Sequence, residues 1–362
     1  MSEMKIDIKF IDASDWQEQP WYSSGGTRAK KVLQKPDGTE YYFKCSEKKP
    51  AKEGKPAKEY KYEFWNEIIA YQLGKALGLN MLRYDIAVFG EEIGCLSPKM
   101  NITDDIQLIE VGRYMTALNE NFIPENYASR KEYTFQLLEQ TISHFKLSDY
   151  WEQLLQTILF DALIGNTDRH QENWAFFGTS TIMSKTYEDL KKEAETGKMS
   201  WLKRQFTRPI FDHKKKDLNI VGKHAQLMFT NVNSIAPIYD NGSSLARELT
   251  DERVELLLQN DLALEDYINK GFAELHWDKI KLNHFKLIEN LVKTSYIETI
   301  SKSAVFLSNW DESVVSMIFD DLDKDLPAKW NEYCIPVKRK MLIIKIISLR
   351  FKKLKDLLSD RI

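Results

Sequence analysis

The sequence predicts an α+β protein of two lobes, a small strand-rich N-terminal lobe and a larger helical C-terminal one. Three observations predict it. Short runs of alternating apolar and polar residues, broken by Gly, Pro and Ser, fill the first hundred positions. Apolar residues then recur at helical spacing through most of the remainder. Pro98 closes the first pattern, which puts the boundary between Pro98 and about Asp105 and gives lobes spanning 1–103 and 104–362. A length of 362 residues suffices for two such units. Hydrophobic residues at 43% and charged residues at 29% exclude a disordered chain, a collagen-like fibre and a disulfide-stapled miniprotein. Fifty-one basic residues stand against 54 acidic ones, so net charge does not point to nucleic acid and no direct DNA binding is expected. Cys45, Cys95 and Cys334 lie far apart without a CxxC pair, which argues against a zinc site or disulfide framework and fits a reducing compartment. The N-terminus MSEMKIDIKF lacks the apolar core of a signal peptide, and no run reaches 18 apolar residues. The expected location is cytoplasmic, with a secreted effector left open.

Taken in order, IDIKFI at 6–11 reads as a half-buried strand, and Ser23 to Gly26 as a Gly-containing turn. Lys31-Val32-Leu33 leads through a hairpin turn at Pro36-Asp37-Gly38 into the aromatic strand Glu40–Cys45. Residues 47–59 contain KPAKE twice and read as a solvated loop. A helix follows, with an apolar side of Phe64, Ile68, Tyr71, Leu73 and Leu77, and stops at Gly78. Strands are expected at Arg83–Phe89 and Gly94–Ser97. The clearest helix runs from Tyr150 to Ile164, with one buried face through Trp151, Leu154, Leu155, Ile158, Leu159, Ala162 and Leu163. Asp149 and Glu152 suit a capping box at its start, and Gly165 ends it. Residues 178–226 form a basic insertion, with 11 Lys/Arg against 6 Asp/Glu and a short helix expected near Tyr187–Ala194. It reads as a solvated excursion or as a docking surface for an acidic protein or an RNA-bound substrate. Helices dominate from Glu248 onward. The last, after Pro336, is basic and amphipathic, with 9 Lys/Arg and 2 Asp in 338–361. Its Leu342, Ile343, Ile346, Ile347, Leu349, Leu354 and Leu357 suit packing onto the helical lobe, the alternative being recruitment to an anionic membrane.

Four polar constellations carry chemistry. Asp168 and Asn173 are five apart on a loop directly after a buried helix, the spacing of a phosphoryl-transfer loop. There the Asp accepts the proton of an attacking hydroxyl and the Asn holds magnesium. Asp240, in Tyr239-Asp240-Asn241-Gly242, ends an apolar stretch as a second metal-binding Asp does, although Asp-Asn-Gly is also an ideal turn. Lys44 on a strand precedes Glu67 on a helix by 23 residues, as in an ATP site, with Glu63 one turn earlier as a competing partner. Ser23-Ser24-Gly25-Gly26-Thr27-Arg28-Ala29-Lys30 offers backbone N–H groups and cations to phosphate, yet is neither G-x-G-x-x-G nor a Walker A sequence. Each alone also fits a turn, a polar loop or an edge-strand lysine in water. Their order along the chain, the Ser/Gly-rich turn and the Lys44–Glu67 pair in the strand-rich lobe and the other two in the helical one, points to an ATP-dependent phosphotransferase.

With these motifs the chain resembles the HipA-like serine/threonine protein kinase family, of the CtkA and HipA C-terminal kinase type. Ser24-Gly25-Gly26-Thr27-Arg28-Ala29-Lys30 is similar to the family's phosphate loop, Phe43-Lys44 to its lysine strand, and Asn66-Glu67 with Leu73 to Asn80 to its helix signature. Asn166-Thr167-Asp168-Arg169-His170-x-x-Asn173 is similar to its catalytic loop, and Pro237 to Ser243 to its metal-binding segment. The resemblance implies a protein-kinase-like fold, ATP and Mg2+ as cofactors, and a protein substrate with a Ser or Thr acceptor. It implies Asp168 as catalytic base, Asn173 and Asp240 as metal ligands, and Lys44 oriented by Glu67 on phosphate. Ser24, Gly25 and Gly26 would then cradle phosphate, with the backbone at Pro98 to Met100 on adenine. It also implies autophosphorylation, with Ser23 and Ser24 as candidate sites, where a phosphate would repel those of ATP. Two departures stand out. The phosphate loop begins near residue 22, so the N-terminal subdomain with which toxin forms help bind an antitoxin is expected to be missing. A HipB-like DNA-binding antitoxin would have to dock without it. Asn173 and Asp240 are separated by 66 residues, more than the family usually has. Two alternatives remain: a phosphoinositide or lipid kinase, since those enzymes share an Asp-Arg-His-x-x-Asn loop, and a non-catalytic ATP-sensing, partner-binding module.

Overall fold

The strand-rich half folds into one sheet. The computed structural model describes residues 6–19, 30–46, 48–49, 58–100, 106–119, 121–123, 127–185 and 225–359. The first elements are β1 (Phe10–Asp12), β2 (Gln17–Glu18), β3 (Lys31–Gln34), β4 (Glu40–Cys45), β5 (Lys48–Lys49), β6 (Lys58–Glu59), α1 (Glu63–Ala76), β7 (Asp85–Phe89) and β8 (Glu92–Pro98). Six strands pair in the order β1-β7-β8-β4-β3-β2, antiparallel except for β1 beside β7. The strand expected over 6–11 pairs only from Phe10, because Lys9 N–H donates to the Asp85 side chain, 3.2 Å away, instead of to a ladder. In the expected loop at 47–59, β5 and β6 form a two-residue ladder, and residues 50–57 lie outside the described residues. Both β7 and β8 lie where strands were expected, β7 two residues shorter at its start and β8 extended at both ends.

Strand alternation decides which way β4 presents its side chains. Phe43 packs with Ala13, Trp16, Leu33, Ala87 and Leu96 in a small core on one face of the sheet. Its neighbour Lys44 therefore points to the other face, where α1 lies. Register sets Lys44 opposite Cys95 and Cys45 opposite Gly94. At Gly94 a Cβ would come within 2.1 Å of the Lys44 carbonyl oxygen, so only glycine lets β4 and β8 approach this closely.

An apolar side was expected on α1, yet every residue from Glu63 to Gly74 is buried. The helix lies between the sheet and the helical half, so both faces are covered. It ends at Gly78 as expected, with φ of +83°. Leu79 N–H donates to Gly74 O and Gly78 N–H to Lys75 O, the paired bonds of a Schellman motif.

The helical half contains β9 (Gln107–Glu110), α2 (Val111–Leu118), α3 (Phe135–His144), α4 (Trp151–Ile164), β10 (Ala175–Lys185), β11 (Ala225–Ile235), α5 (Asp251–Gln259), α6 (Asp261–Asn269), α7 (His284–Leu291), α8 (Ile297–Ser303), α9 (Glu312–Asp321) and α10 (Val337–Leu358). Asp149 does not cap α4: a 3-10 turn at Ser148–Tyr150 runs into the helix, and Tyr150 takes the cap position without a side-chain bond. One buried face was expected there, but the last eight residues of α4 are buried all round, because α7, α8 and α10 all pack on it. Gly165 ends it in the left-handed region at φ +68°. Both ends of the basic insertion belong to the β10–β11 hairpin, which joins β9 in a three-stranded sheet, while the helix expected near Tyr187–Ala194 lies outside the described residues. On α10, Leu342, Ile343, Ile346, Ile347 and Leu354 are buried, and Leu349 and Leu357 pack against the core. No helix among the described residues is long and apolar enough to cross a membrane. The architecture is the two-lobed α+β fold that the sequence predicts.

Candidate active site

Lys44 is buried where the two halves meet. Its Nζ lies 3.1 Å from Glu67 Oε1 on α1 and 2.9 Å from Asp240 Oδ1. Burial disfavours the ammonium, but the Asp240 and Glu67 carboxylates outweigh it and hold its pKa well above the usual lysine value. The competing Glu63 is turned away to Arg247, 2.6 Å distant. Glu67 Oε2 accepts the Asn241 N–H at 2.7 Å, so one carboxylate aligns both the lysine and the segment carrying Asp240. Lys30, at the end of the Ser/Gly-rich turn, places Nζ 3.8 Å from Asp240 Oδ2. Ser23, Ser24, Gly25 and Gly26 lie outside the described residues.

The Asp240 segment is stitched to the N-terminal half by main chain. Ile238 N–H donates to Asn80 O and Leu82 N–H to Ile238 O, around a parallel bridge from Met81 to Ile238. Asn66 Nδ2 donates to Ser244 O at 2.7 Å, tying the following turn to α1. Asp240 itself has φ +56°, and its N–H donates to the Tyr84 hydroxyl at 3.3 Å. A non-glycine residue in that region is held there by its surroundings, a common state at functional sites.

Asp168 sits on the loop after α4. Its N–H donates to Asn166 Oδ1 at 3.1 Å, and its Oδ2 accepts the Ser243 hydroxyl at 3.2 Å. Asn173 Nδ2 donates to Asp168 O at 2.8 Å, which closes the loop and directs Asn173 Oδ1 the other way. Beneath the loop lies Arg169, which sequence reasoning quoted but gave no role. It is 3% exposed and meets both oxygens of the buried Asp161 at 2.9 Å. It also donates to Asn173 O at 2.7 Å, to Asn241 Oδ1 at 2.6 Å, and to Tyr239 O. Burial works against the Arg169 charge, but the paired Asp161 raises its pKa above the usual arginine value. One fixed guanidinium thus joins the Asp168 loop to the Asp240 segment. Asp161 and Arg169 are eight residues apart across a helix end, a spacing that no local pattern marks.

The structure therefore brings Lys44, Glu67 and Asp240 into direct contact, and links them through Asn241 and Arg169 to the loop of Asp168 and Asn173. Pro98 and Met100 lie at and just beyond the end of β8, where Lys99 N–H donates to Glu40 O. Among the described residues no group of three or more His, Cys, Asp or Glu is placed to hold a metal. Asp240 and the Asn173 amide oxygen are hard donors, and such a pair fits magnesium that draws its other ligands from phosphate and water.

The chain matches the family model of the HipA-like C-terminal domain over residues 22–232. A search of curated proteins finds no match. Among solved structures, the Helicobacter pylori proinflammatory kinase CtkA superposes with a TM-score of 0.64 at 17% identity, covering 98% of each chain. That likeness establishes the fold. HipA in its Shewanella oneidensis MR-1 toxin–antitoxin complex with HipB and operator DNA gives a TM-score of 0.41 at 14% identity, over 95% of this chain and 67% of that one.

Proposed function

This chain belongs to the family of HipA-like C-terminal domains, and we propose that it is an ATP- and magnesium-dependent serine/threonine protein kinase. One observation carries the reading: Lys44 contacts Glu67 and Asp240 together, and Arg169 joins Asn241, next to Asp240, to the Asp168–Asn173 loop. Lys44, oriented by Glu67, binds the α/β-phosphates of ATP, and Lys30 with the turn at Ser24, Gly25 and Gly26 embraces the rest. The backbone between Pro98 and Met100 meets adenine; Pro98 has no N–H and that of Lys99 is bonded to Glu40, so Met100 supplies the donor. Asn173 and Asp240 hold magnesium, which neutralises phosphate charge.

Asp168 accepts the proton from an acceptor Ser or Thr hydroxyl as that oxygen attacks the γ-phosphorus in line and the bond to the ADP oxygen breaks. The Ser243 hydroxyl holds the carboxylate and the Asn166 side chain holds the Asp168 main chain in advance, so positioning and electrostatics carry most of the rate gain. Ser23 and Ser24 are its autophosphorylation sites, where an added phosphate expels ATP by like charge.

Labelled ATP with magnesium tests this on the chain itself and on protein, peptide and phosphoinositide acceptors. Asp168→Ala abolishes transfer and leaves nucleotide affinity nearly unchanged. Transfer that survives Asp168→Ala, or label found only on lipid, defeats the reading.

A further inference from the structure

A cavity opens beside the Asp168 loop. It measures about 230 Å³ and is walled by Thr167 and Ser243, by Ser244 to Ala246, and by Tyr267, Gly271 and Arg350. Thr167 immediately precedes Asp168, and the Ser243 hydroxyl bonds the Asp168 carboxylate. An occupant here would therefore lie next to the acceptor position without touching the nucleotide residues.

Arg350 is what distinguishes this cavity. The side chain rises from α10 and is 3% exposed. Its Nε donates to Ala162 O at 2.7 Å and its Nη1 to Ile268 O at 3.0 Å, while Nη2 has no hydrogen-bond partner. No ion pair among the described residues includes it, and burial brings its pKa down to about 10. Buried guanidinium groups ordinarily have carboxylate partners, because an unmatched charge away from water is costly. The guanidinium packs closely on two cavity-lining glycines: a Cβ at Gly165 would sit 3.3 Å from its Cζ and one at Gly271 3.4 Å from Nη1. Lys270 adds an exposed cation to the lining. The cavity's acidic residue, Glu248, is tied to the Tyr267 hydroxyl at 2.8 Å.

We propose that this cavity is an anion subsite, in which Arg350 and Lys270 supply the positive charge that holds a carboxylate or phosphoryl group beside the acceptor hydroxyl. This rests on the kinase reading above insofar as the anion belongs to the acceptor, and makes the preferred acceptor an acidic or previously phosphorylated peptide. The volume suits a side chain with an anionic tip better than a single water. A free anion of the same chemistry is the other source.

Two measurements on the full chain separate the cases. The first uses a degenerate Ser/Thr peptide library, with Glu, Gln or phosphothreonine fixed at each position flanking the acceptor, and labelled ATP. An acid at one position raises kcat/KM at least about tenfold, and Lys270→Glu and Arg350→Lys remove the preference while transfer to the Gln peptides is retained. The second needs no catalysis: inorganic phosphate is titrated by calorimetry into wild type, Lys270→Glu and Arg350→Lys. Binding weakens at least about tenfold in both variants. Because Lys270 is exposed, its variant reports even where Arg350→Lys fails to fold. An acidic preference identifies the acceptor as the source of the anion, and phosphate binding without such a preference identifies a free anion; both uphold the subsite. No preference together with no phosphate binding, or binding that neither variant changes, overturns it. Peptides left wholly unlabelled refute the kinase reading, and the titration still decides the cavity.

Discussion

Lys44 is satisfied by carboxylates from two different parts of the chain, and that divides its roles. Glu67 on α1 and Asp240 hold it from two sides; in the proposed reaction Glu67 would keep its direction while the phosphates of a nucleotide replaced Asp240. Removing one partner of a buried ion pair costs about 3–5 kcal/mol where no other partner remains; with Asp240 still in place, Glu67→Gln should fall at or below the low end. The effect on transfer should be larger, roughly 100-fold in kcat/KM, since Lys44 and the Asn241 N–H both lose their alignment. Glu63→Gln is the matched control. It sits one turn away and serves Arg247, so urea unfolding should register it while transfer stays within about twofold. Equal losses from the two substitutions would remove Glu67 from the role given to it. The Lys44–Glu67 pair was legible in the sequence because a strand lysine and a nearby helix acid imply each other. Which of two acids one turn apart would win was not, since Arg247 lies 184 residues beyond Glu63. Arg169 was hidden for the same reason: its partners Tyr239 and Asn241 come from a distant segment.

At the scale of elements, periodicity reported where helices run but not how completely they are covered. On α1 and α4 polar positions break the apolar stripe, yet these turn inward onto partners, as Asn66 does onto Ser244 and Asp161 onto Arg169. A pattern rule reads such residues as the solvent face. The β4–β8 pair gives a direct test of how an element sets the site. Gly94→Ala drives a methyl group against the Lys44 carbonyl, and overpacking of this kind costs about 1–3 kcal/mol. Displacing β4 moves Lys44, so nucleotide affinity should fall in proportion, as calorimetric titration would measure; unchanged affinity would mean that β4 does not position the lysine. The start of α7 supplies a pH dependence. His284 is its first residue, buried beside Arg350, and burial with that neighbouring charge lowers its pKa well below the usual histidine value. Unfolding therefore takes up a proton once the pH falls below the unfolded value of about 6.5. The stabilising contribution is complete above that pH and declines as the pH drops toward the folded pKa, by up to about 1.4 kcal/mol per unit. His276, lowered mainly by burial, acts in the same direction. Urea midpoints measured from pH 7 to 5.5 should fall, and His284→Asn should flatten the slope without abolishing it. A slope identical in the variant would rule His284 out as its source.

Across the whole molecule, one hydrophobic core runs from α1 and β7 into α4 and α10. The two halves are further joined by Trp65 Nε1 on Tyr333 O, Asn66 on Ser244 O, Glu63 with Arg247, and the Asn80–Ile238–Leu82 main-chain bonds. Two lobes were legible as a change of pattern near residue 100, but this continuity was not, because it rests on contacts between residues more than 150 apart. It predicts a single unfolding transition, with calorimetric and van't Hoff enthalpies in agreement. Two resolved transitions would show the lobes to be separable units. Continuity also links the site to global stability. A nucleotide that binds only the folded chain stabilises it by about 2.7 kcal/mol at one hundred times its Kd. Magnesium should add to this only through Asp240 and Asn173, the hard oxygen donors of the site. Scanning calorimetry should therefore show ATP alone raising the Tm modestly and ATP with magnesium raising it further in wild type. In Asp240→Asn the magnesium increment should vanish while the unliganded protein still melts cooperatively, because Glu67 continues to hold Lys44. A magnesium increment that persists in this variant would place the metal elsewhere and detach Asp240 from the chemistry assigned to the site.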